Sequence, residues 1–309
     1  MSKMKKYFKQ YDFIDWCIVG IIIIFIFFLY QHPDIRHTGG SSIAYLNGHI
    51  WDFYDYNKIQ PTIGGNAYMP TMYIIFAIWN IPIRLLKLIV VPTMDVSLYV
   101  SMWYKVLTTL FYVGTTYYIY KICRVLNVNK KMALFAAFLF FSNPIAIYSQ
   151  FIFGQYDILT TFFITLGIYF CIKNDDWKFV IAFAIAVTCK YFALLFFIPM
   201  LLHKEKNVVE ILKKCAGVAS LFLIETVFYI HSPAFRDGVF GFGATGYIFD
   251  LVLDENHAQV SVVLFTWVAL CAYAYFSENN GNNWLIYYLN IVTFISFGLS
   301  FCHPHWLLM

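Results

Sequence analysis

The sequence has little charge and lacks the motifs of most soluble enzymes. Of its 309 residues, 12% are charged and 61% are apolar, against about 25% and about 45–50% in ordinary soluble domains. Lys and Arg are spread through short segments without a clustered basic face, which excludes nucleic-acid binding. No nucleophile elbow, phosphate-binding loop or H-E-x-x-H motif occurs, and the seven cysteines stand singly without metal or redox spacing.

Apolar residues instead come in blocks long enough to cross a bilayer, which takes about 20 residues of helix. The pattern predicts an all-α polytopic membrane protein with about nine transmembrane helices in one domain, residues 1–309. The predicted spans are 13–30, 98–120, 132–150, 158–172, 179–190, 191–202, 208–230, 259–276 and 284–301. The block 71–91 is interrupted by polar residues and is interpreted as an interfacial helix within a long first outer loop, residues 31–97.

The distribution of positive charge predicts the orientation of the chain. With the N-terminus in the cytoplasm, 14 of the 21 Lys and Arg fall on the inner side, as the positive-inside rule requires. This arrangement needs the two short segments beside Lys190 to cross twice, either as a short helical hairpin or as one irregular helix. It also gathers the candidate functional residues at the outer face.

Asp34 follows the first predicted span closely, so its carboxylate is expected at the membrane boundary. Partial desolvation there would suit it to act as a general base. The alternative is a solvated carboxylate that caps a helix beginning at Ile35. Asp55, in the same loop, is a further candidate for substrate binding.

A second candidate cluster lies in the tight outer loop between two predicted spans. Gln155 and Asp157 stand two residues apart beside Gly154, and such a pair can bind sugar hydroxyls or a divalent cation. The alternative is that Asp157 only caps the next helix. These residues predict no cofactor, and they leave open whether the site binds a divalent cation.

Lys190 lies in the middle of an apolar run, where a charge costs about 2.5–3.5 kcal/mol on insertion scales. Three partners would compensate this charge: a substrate phosphate, the Asp157 carboxylate, or water that the side chain reaches by snorkelling. His303 and His305 flank Pro304 at the outer end of the last span and are candidate binding residues. No third ligand is placed by spacing, so the pattern does not support a metal site.

These features together resemble the GT-C superfamily of membrane glycosyltransferases. The matching features, in chain order, are Asp34 after the first span, Asn66-Ala67-Tyr68-Met69-Pro70, Asn143-Pro144 before Gly154-Gln155-Tyr156-Asp157, Lys190 followed by Pro199, and His305-Trp306. The likeness is nearest to the first mannosyltransferase of GPI-anchor synthesis and to actinobacterial enzymes that use polyprenyl-phosphate mannose.

The resemblance implies a hexosyltransferase of the bacterial cell membrane that builds envelope polysaccharide. A mannose-like sugar would pass from a polyprenyl-phosphate donor to a glycan or lipid acceptor at the outer face, with Asp34 as base and with inversion. The second outer loop, with Gln155 and Asp157, would help to build the sugar site, and Tyr68 is a further candidate for substrate binding. Lys190, Arg236 and His305 are candidates for holding the phosphate.

Members of that superfamily generally continue for several more spans, so the resemblance also implies a fragment or a shortened relative. Two other functions are compatible with the same residues. One is a flippase or transporter of lipid-linked sugars, against which the lack of internal repeats speaks. The other is a non-catalytic partner subunit with the same fold.

Overall fold

The computed structural model describes residues 13–241, 251–255, 258–278 and 281–299, and these are mainly helical. The helices of the first part are, in chain order, α1 (Phe13–Leu29), α2 (Pro33–Ser41), α3 (Ile43–Leu46), α4 (Phe53–Lys58), α5 (Pro70–Leu85), α6 (Leu98–Val125), α7 (Lys130–Phe141) and α8 (Pro144–Ile147). A π-helical turn, Tyr148–Ile152, follows α8 directly.

The second part continues with longer helices and one small hairpin. Its elements are α9 (Ile158–Ile172), α10 (Asp176–Cys189), α11 (Ala193–Lys204), α12 (Val208–Tyr229), α13 (Pro233–Phe235), a π-helical turn (Arg236–Phe240), β1 (Val252–Glu255), β2 (Ala258–Ser261), α14 (Val262–Phe276) and α15 (Asn282–Gly298). The short pair expected around Lys190 is therefore two helices, α10 and α11, broken at residues 190–192.

Two details of the predicted spans are wrong. The span 132–150 is broken, because Asn143 accepts a hydrogen bond from the Ile145 amide at 2.9 Å and starts a new helix at Pro144, with a bend of 46° between the two parts. The span 259–276 begins in β2, which pairs antiparallel with β1, and the helix starts only after Ser261. The described part of the chain is thus helical with one hairpin.

The buried side chains form three clusters that between them hold the helices together. One joins α9, α10, α11, α14 and α15, with Phe183, Phe197 and Tyr288 at its centre. A second joins α1, α2, α5, α6 and α9. The third is aromatic and fixes the loop 31–97 against the end of α12, through residues that include Tyr54, Tyr73 and Phe235.

Two side chains of α12 hold this loop by hydrogen bonds. Thr71 at the start of α5 donates to the buried Glu225 carboxylate at 2.5 Å, which ties α5 to α12. One turn further, the Tyr229 hydroxyl donates to the Ile50 carbonyl at 2.5 Å and lies 3.1 Å from the Tyr45 hydroxyl. The loop therefore depends on α12 for its position.

Within the described residues, no individual helix is both long enough and apolar enough to cross a membrane. Two bent pairs of helical segments meet the length and composition criteria jointly: Phe13–Leu29 with Pro33–Leu46, bent by 73°, and Lys130–Phe141 with Pro144–Ile152. The expected count of nine spans stays a prediction.

Candidate functional site

An ion pair between Asp157 and Lys190 forms the centre of the candidate site. The Lys190 ammonium lies 2.6 Å from the carboxylate of Asp157, whose side chain is completely buried. The connection between α9 and α10 is short, so the end of α10 returns beside the start of α9 and brings the two residues together. The chain is extended at Lys190, which turns this side chain out of the α10 helical register.

Asp157 does not cap α9 with its side chain, which rejects the simple capping alternative. It also accepts a hydrogen bond from the Gln155 side-chain amide at 3.0 Å. Gly154 makes this turn possible with a φ of 72°, in the left-handed region that favours glycine. Gln155 and Asp157 are thus fixed as a buried amide and carboxylate pair next to Lys190.

Tyr68 covers the ion pair from the loop 31–97. The Lys190 ammonium lies 5.7 Å from the centre of the Tyr68 ring, which is a cation–π contact, and Tyr156 packs edge-on against the same ring. The backbone at Tyr68 is held by Tyr54, whose hydroxyl donates to the Tyr68 carbonyl at 2.6 Å. Burial raises the pKa of the Tyr68 phenol, Lys190 opposes the rise, and the carboxylates of Asp157 and Asp34 add to it.

Asp34 therefore lies within electrostatic range of the same phenol as the ion pair. It stands in the first turn of α2, where a negative charge is favourable. His32, not Asp34, caps this helix: its Nδ1 accepts from the Asp34 amide at 3.3 Å and lies 3.7 Å from the Asp34 carboxylate. The Asp34 side chain is 45% exposed, so it is accessible to a substrate.

The segment that carries Asp34 is packed closely against the segment that carries Asp157. The His32 and Phe153 rings stack with their centres 3.8 Å apart, and Ile35 lies against Gly154. Glycines also let α2 approach its neighbours, since a Cβ at Gly40 would lie 2.0 Å from the Thr93 carbonyl oxygen. The structure thus brings together Asp34, Tyr68, Gln155, Asp157 and Lys190.

Two other predicted site residues, Asp55 and Arg236, make no contact with this cluster in the described part of the chain. Asp55 accepts a hydrogen bond from the Ala234 amide at 3.2 Å and thereby ties α4 to α13. Arg236 is exposed and makes no ion pair with any described residue, while its neighbour Asp237 pairs with Lys58. His303 and His305 lie outside the described residues. The roles of all four stay predictions.

The sequence-based interpretation missed one buried cation. Lys105 in α6 has a buried side chain, and its ammonium donates to the carbonyls of Phe27, Tyr30 and Phe151. The signal was present, because a charge inside an apolar block is itself unusual. What the sequence could not show is which unpaired carbonyls lie near it.

Across the described parts of the chain, no three His, Cys, Asp or Glu side chains come together in a way that could hold a metal ion.

A carboxylate accessible to substrate can take the proton of a hydroxyl group, and the ammonium of the buried pair can balance negative charge beside it. The family model described as glycosyltransferase family 87 matches residues 67–297, and this chain belongs to that family. It is a glycosyltransferase, whose substrates are a sugar donor and an acceptor. No curated protein and no solved structure matches the chain.

The matched region includes most of the candidate site. Tyr68, Gln155, Asp157 and Lys190 lie inside residues 67–297, whereas Asp34 precedes them. The nearer likeness to the first GPI mannosyltransferase stays a prediction.

Proposed function

We propose that this chain is an integral membrane glycosyltransferase of the GT-C type. It would move a mannose-like hexose from a polyprenyl-phosphate donor to a glycan or lipid acceptor outside the cytoplasm, in the bacterial cell membrane. The observation that carries the proposal is the packing of the segment with Asp34 against the segment with Asp157, beside the Asp157–Lys190 pair and Tyr68, in a chain of a glycosyltransferase family.

The surface of the helices supports a lipid environment. On α1, the side chains of Phe13, Ile21 and Phe25 are each more than 60% exposed, and α12 and α14 carry further exposed apolar residues such as Val227 and Phe265. Soluble monomers rarely expose continuous apolar surface of this kind. Lipid tails would cover these side chains, and a polyprenyl donor would reach the site from the same surroundings.

The proposed reaction is a single displacement at the anomeric carbon. The Asp34 carboxylate takes the proton of the acceptor hydroxyl, the acceptor oxygen forms its bond to the anomeric carbon, and the bond to the phosphate oxygen breaks. The polyprenyl phosphate leaves with that electron pair. An attack opposite to the leaving group inverts the configuration of the sugar.

Lys190 is proposed to stabilise the departing phosphate. An ammonium has three N–H groups, and Asp157 holds Lys190 in place while leaving donor capacity for a phosphate oxygen. Gln155 and Tyr68 would contact sugar hydroxyls. Arg236 and His305 are proposed as further phosphate contacts and His303 and Asp55 as further substrate contacts.

The substitution Asp34→Asn tests the assignment of the base. The amide keeps the size of the side chain but cannot accept the proton, so transfer should fall at least about 10²-fold. The assay follows a labelled hexose from short-chain polyprenyl-phosphate donors into membranes of a deletion strain that are supplemented with the purified protein. Anomeric configuration of the product is read by NMR.

Asp52→Asn is the matched control, because Asp52 belongs to the same loop and also pairs with a nearby histidine, His49, at 3.0 Å. It should retain activity close to that of the wild type. Near-normal turnover of the Asp34→Asn protein would reject Asp34 as the base. Asp55→Asn and Asp157→Asn would then be tested in the same assay. If the wild-type protein moves the donor between the two leaflets of vesicles but transfers no hexose, the flippase is the correct function instead.

A further inference from the structure

The ammonium of Lys105 connects the two segments that carry the acidic residues of the candidate site. Its side chain is 1% exposed, and the nitrogen donates to the Phe27 carbonyl at 2.6 Å, the Tyr30 carbonyl at 2.8 Å and the Phe151 carbonyl at 3.0 Å. Three N–H groups thus meet three acceptors. No carboxylate among the described residues pairs with it.

The three carbonyls lie at the ends of two helical segments. Phe27 belongs to the last turn of α1 and Tyr30 follows that helix directly, while Phe151 belongs to the π-helical turn Tyr148–Ile152. Carbonyls at such ends lack a partner within their own helix and carry the negative end of its dipole. A single cation therefore satisfies both ends at one point.

Each acidic segment of the site begins at this point. Asp34 follows Tyr30 by four residues, and Asp157 follows Phe151 by six. Beyond the Lys105 contact the two segments stay together through the stacking of His32 on Phe153. The contacts at Lys105 and between His32 and Phe153 thus determine the distance between the carboxylates of Asp34 and Asp157.

We propose that Lys105 is a positioning residue that fixes Asp34 relative to the Asp157–Lys190 pair. This inference rests on the proposed function. Lys105 touches no reacting atom, and it acts through the backbone of the two segments. Apolar packing would hold two helix ends together without the cost of a buried cation, whereas three directed hydrogen bonds set their spacing. Displacing a catalytic group by about 1 Å can cost about 10² in rate.

The chain contains a matched control for this arrangement. Lys206 also donates to three carbonyls at helix ends, those of Leu202 at 2.8 Å and of Ala274 and Tyr275 at 2.7 Å. It joins α11 to α14 at the end of α11 opposite to Lys190. Removing either ammonium deletes the same kind of contact, but only Lys105 adjoins the candidate site.

The experiment compares Lys105→Met with Lys206→Met, because methionine keeps most of the stem and removes the charge. We expect Lys105→Met to lower kcat per folded protein by about 10²-fold, with the KM for the donor changed less than about threefold because Lys190 is intact. Lys206→Met should keep kcat within about twofold of the wild type. Equal kcat values in the two variants would overturn the inference.

Hydrogen exchange followed by mass spectrometry gives a second readout that needs no activity. Lys105→Met should speed exchange in residues 30–36 and in residues 151–157 together, whereas Lys206→Met should leave both segments as in the wild type. Unchanged exchange at 151–157 in the Lys105→Met protein would overturn the inference. Lys105→Gln, which keeps an NH2 group as donor but removes the charge, replaces Lys105→Met if that variant does not accumulate.

The two readouts separate this inference from the proposed function. A wild-type protein that transfers no hexose from any polyprenyl-phosphate donor contradicts the proposed function, and the exchange data then decide alone whether Lys105 holds the two segments. An active wild type with equal variants contradicts only the role of Lys105.

Discussion

Lys190 shows how much the sequence alone predicts about the partner of a single residue. Its position in an apolar run predicts a compensating partner, and three partners were compatible with the run: a substrate phosphate, Asp157 and a water contact. The structure selects Asp157, buried and 2.6 Å away. The sequence could not make this choice, because residues 157 and 190 meet only through the return of α10 along α9.

We predict that Lys190→Met destabilises the protein by about 3–5 kcal/mol, since it leaves the Asp157 carboxylate buried without a counter-ion. The double variant Asp157→Asn, Lys190→Met should recover most of this loss. The free energy of unfolding is measured in detergent by urea titration of each single and double variant.

Lys178→Met is the matched control. Lys178 also lies 2.6 Å from a carboxylate, that of Asp175, but both side chains are partly exposed, so the loss should stay below about 1 kcal/mol. If Lys190→Met proves no more destabilising than Lys178→Met, Asp157 is not the anion that Lys190 needs, and a bound phosphate becomes the stronger candidate.

At the scale of elements, helices with clear end signals could be predicted from the sequence. The prediction for α9 is confirmed over Ile158–Ile172, and α12 begins at Val208 as expected, after Asn207 caps it. The break at Asn143 and the strand β2 were missed, because hydropathy averaged over a block does not register a cap or a strand pairing inside it.

The helix α2 depends on glycine for its position, and this gives a prediction at the same scale. Gly40→Ala would place a Cβ 2.0 Å from the Thr93 carbonyl oxygen, so one backbone must move. We expect a loss of about 1–3 kcal/mol in stability. Activity should fall as well, because α2 carries Asp34. Thermal unfolding and hexose transfer are measured on the same preparation.

Gly20→Ala serves as the control for this substitution. A Cβ at Gly20 meets nothing within 4 Å, and alanine favours a helix over glycine by about 0.5–1 kcal/mol, so α1 should be unaffected or slightly more stable. Equal melting temperatures for the two variants would mean that α2 does not pack against Thr93 as closely as described.

At the scale of the whole molecule, the positive charges predict which ends of the helices face the cytoplasm. We expect Lys130→Cys, at the start of α7, to react with a membrane-impermeant maleimide only after the membrane is opened. Ile59→Cys, in the loop 31–97 and 75% exposed, should react in intact cells. Both are made in a Cys17→Ser background, because Cys17 is exposed. Labelling of Lys130→Cys in intact cells would mean that the chain has the opposite orientation.

The candidate site could be predicted in part because its residues are chemically unusual for their surroundings. Lys190, Asp157 and Asp34 stood out as charges beside apolar blocks. Tyr68 came from the family resemblance alone, and its place over Lys190 depends on contacts between distant segments. Lys105 was missed for the same reason, since the orientation of α6 against α1 is a property of the packed bundle.

The hydrogen bonds from α12 to the loop 31–97 also have a consequence for the order of events during synthesis. The ribosome completes Thr71 and Ile50 long before it reaches their partners Glu225 and Tyr229, so the loop emerges without its anchors. The growing chain adds α6 to α11 in the meantime, so Lys190 is synthesised before α12 can hold the loop that carries Tyr68. The site is therefore completed by α12, which is synthesised after the residues that form the site. A nascent chain acquires its mature geometry only once α12 has left the ribosome.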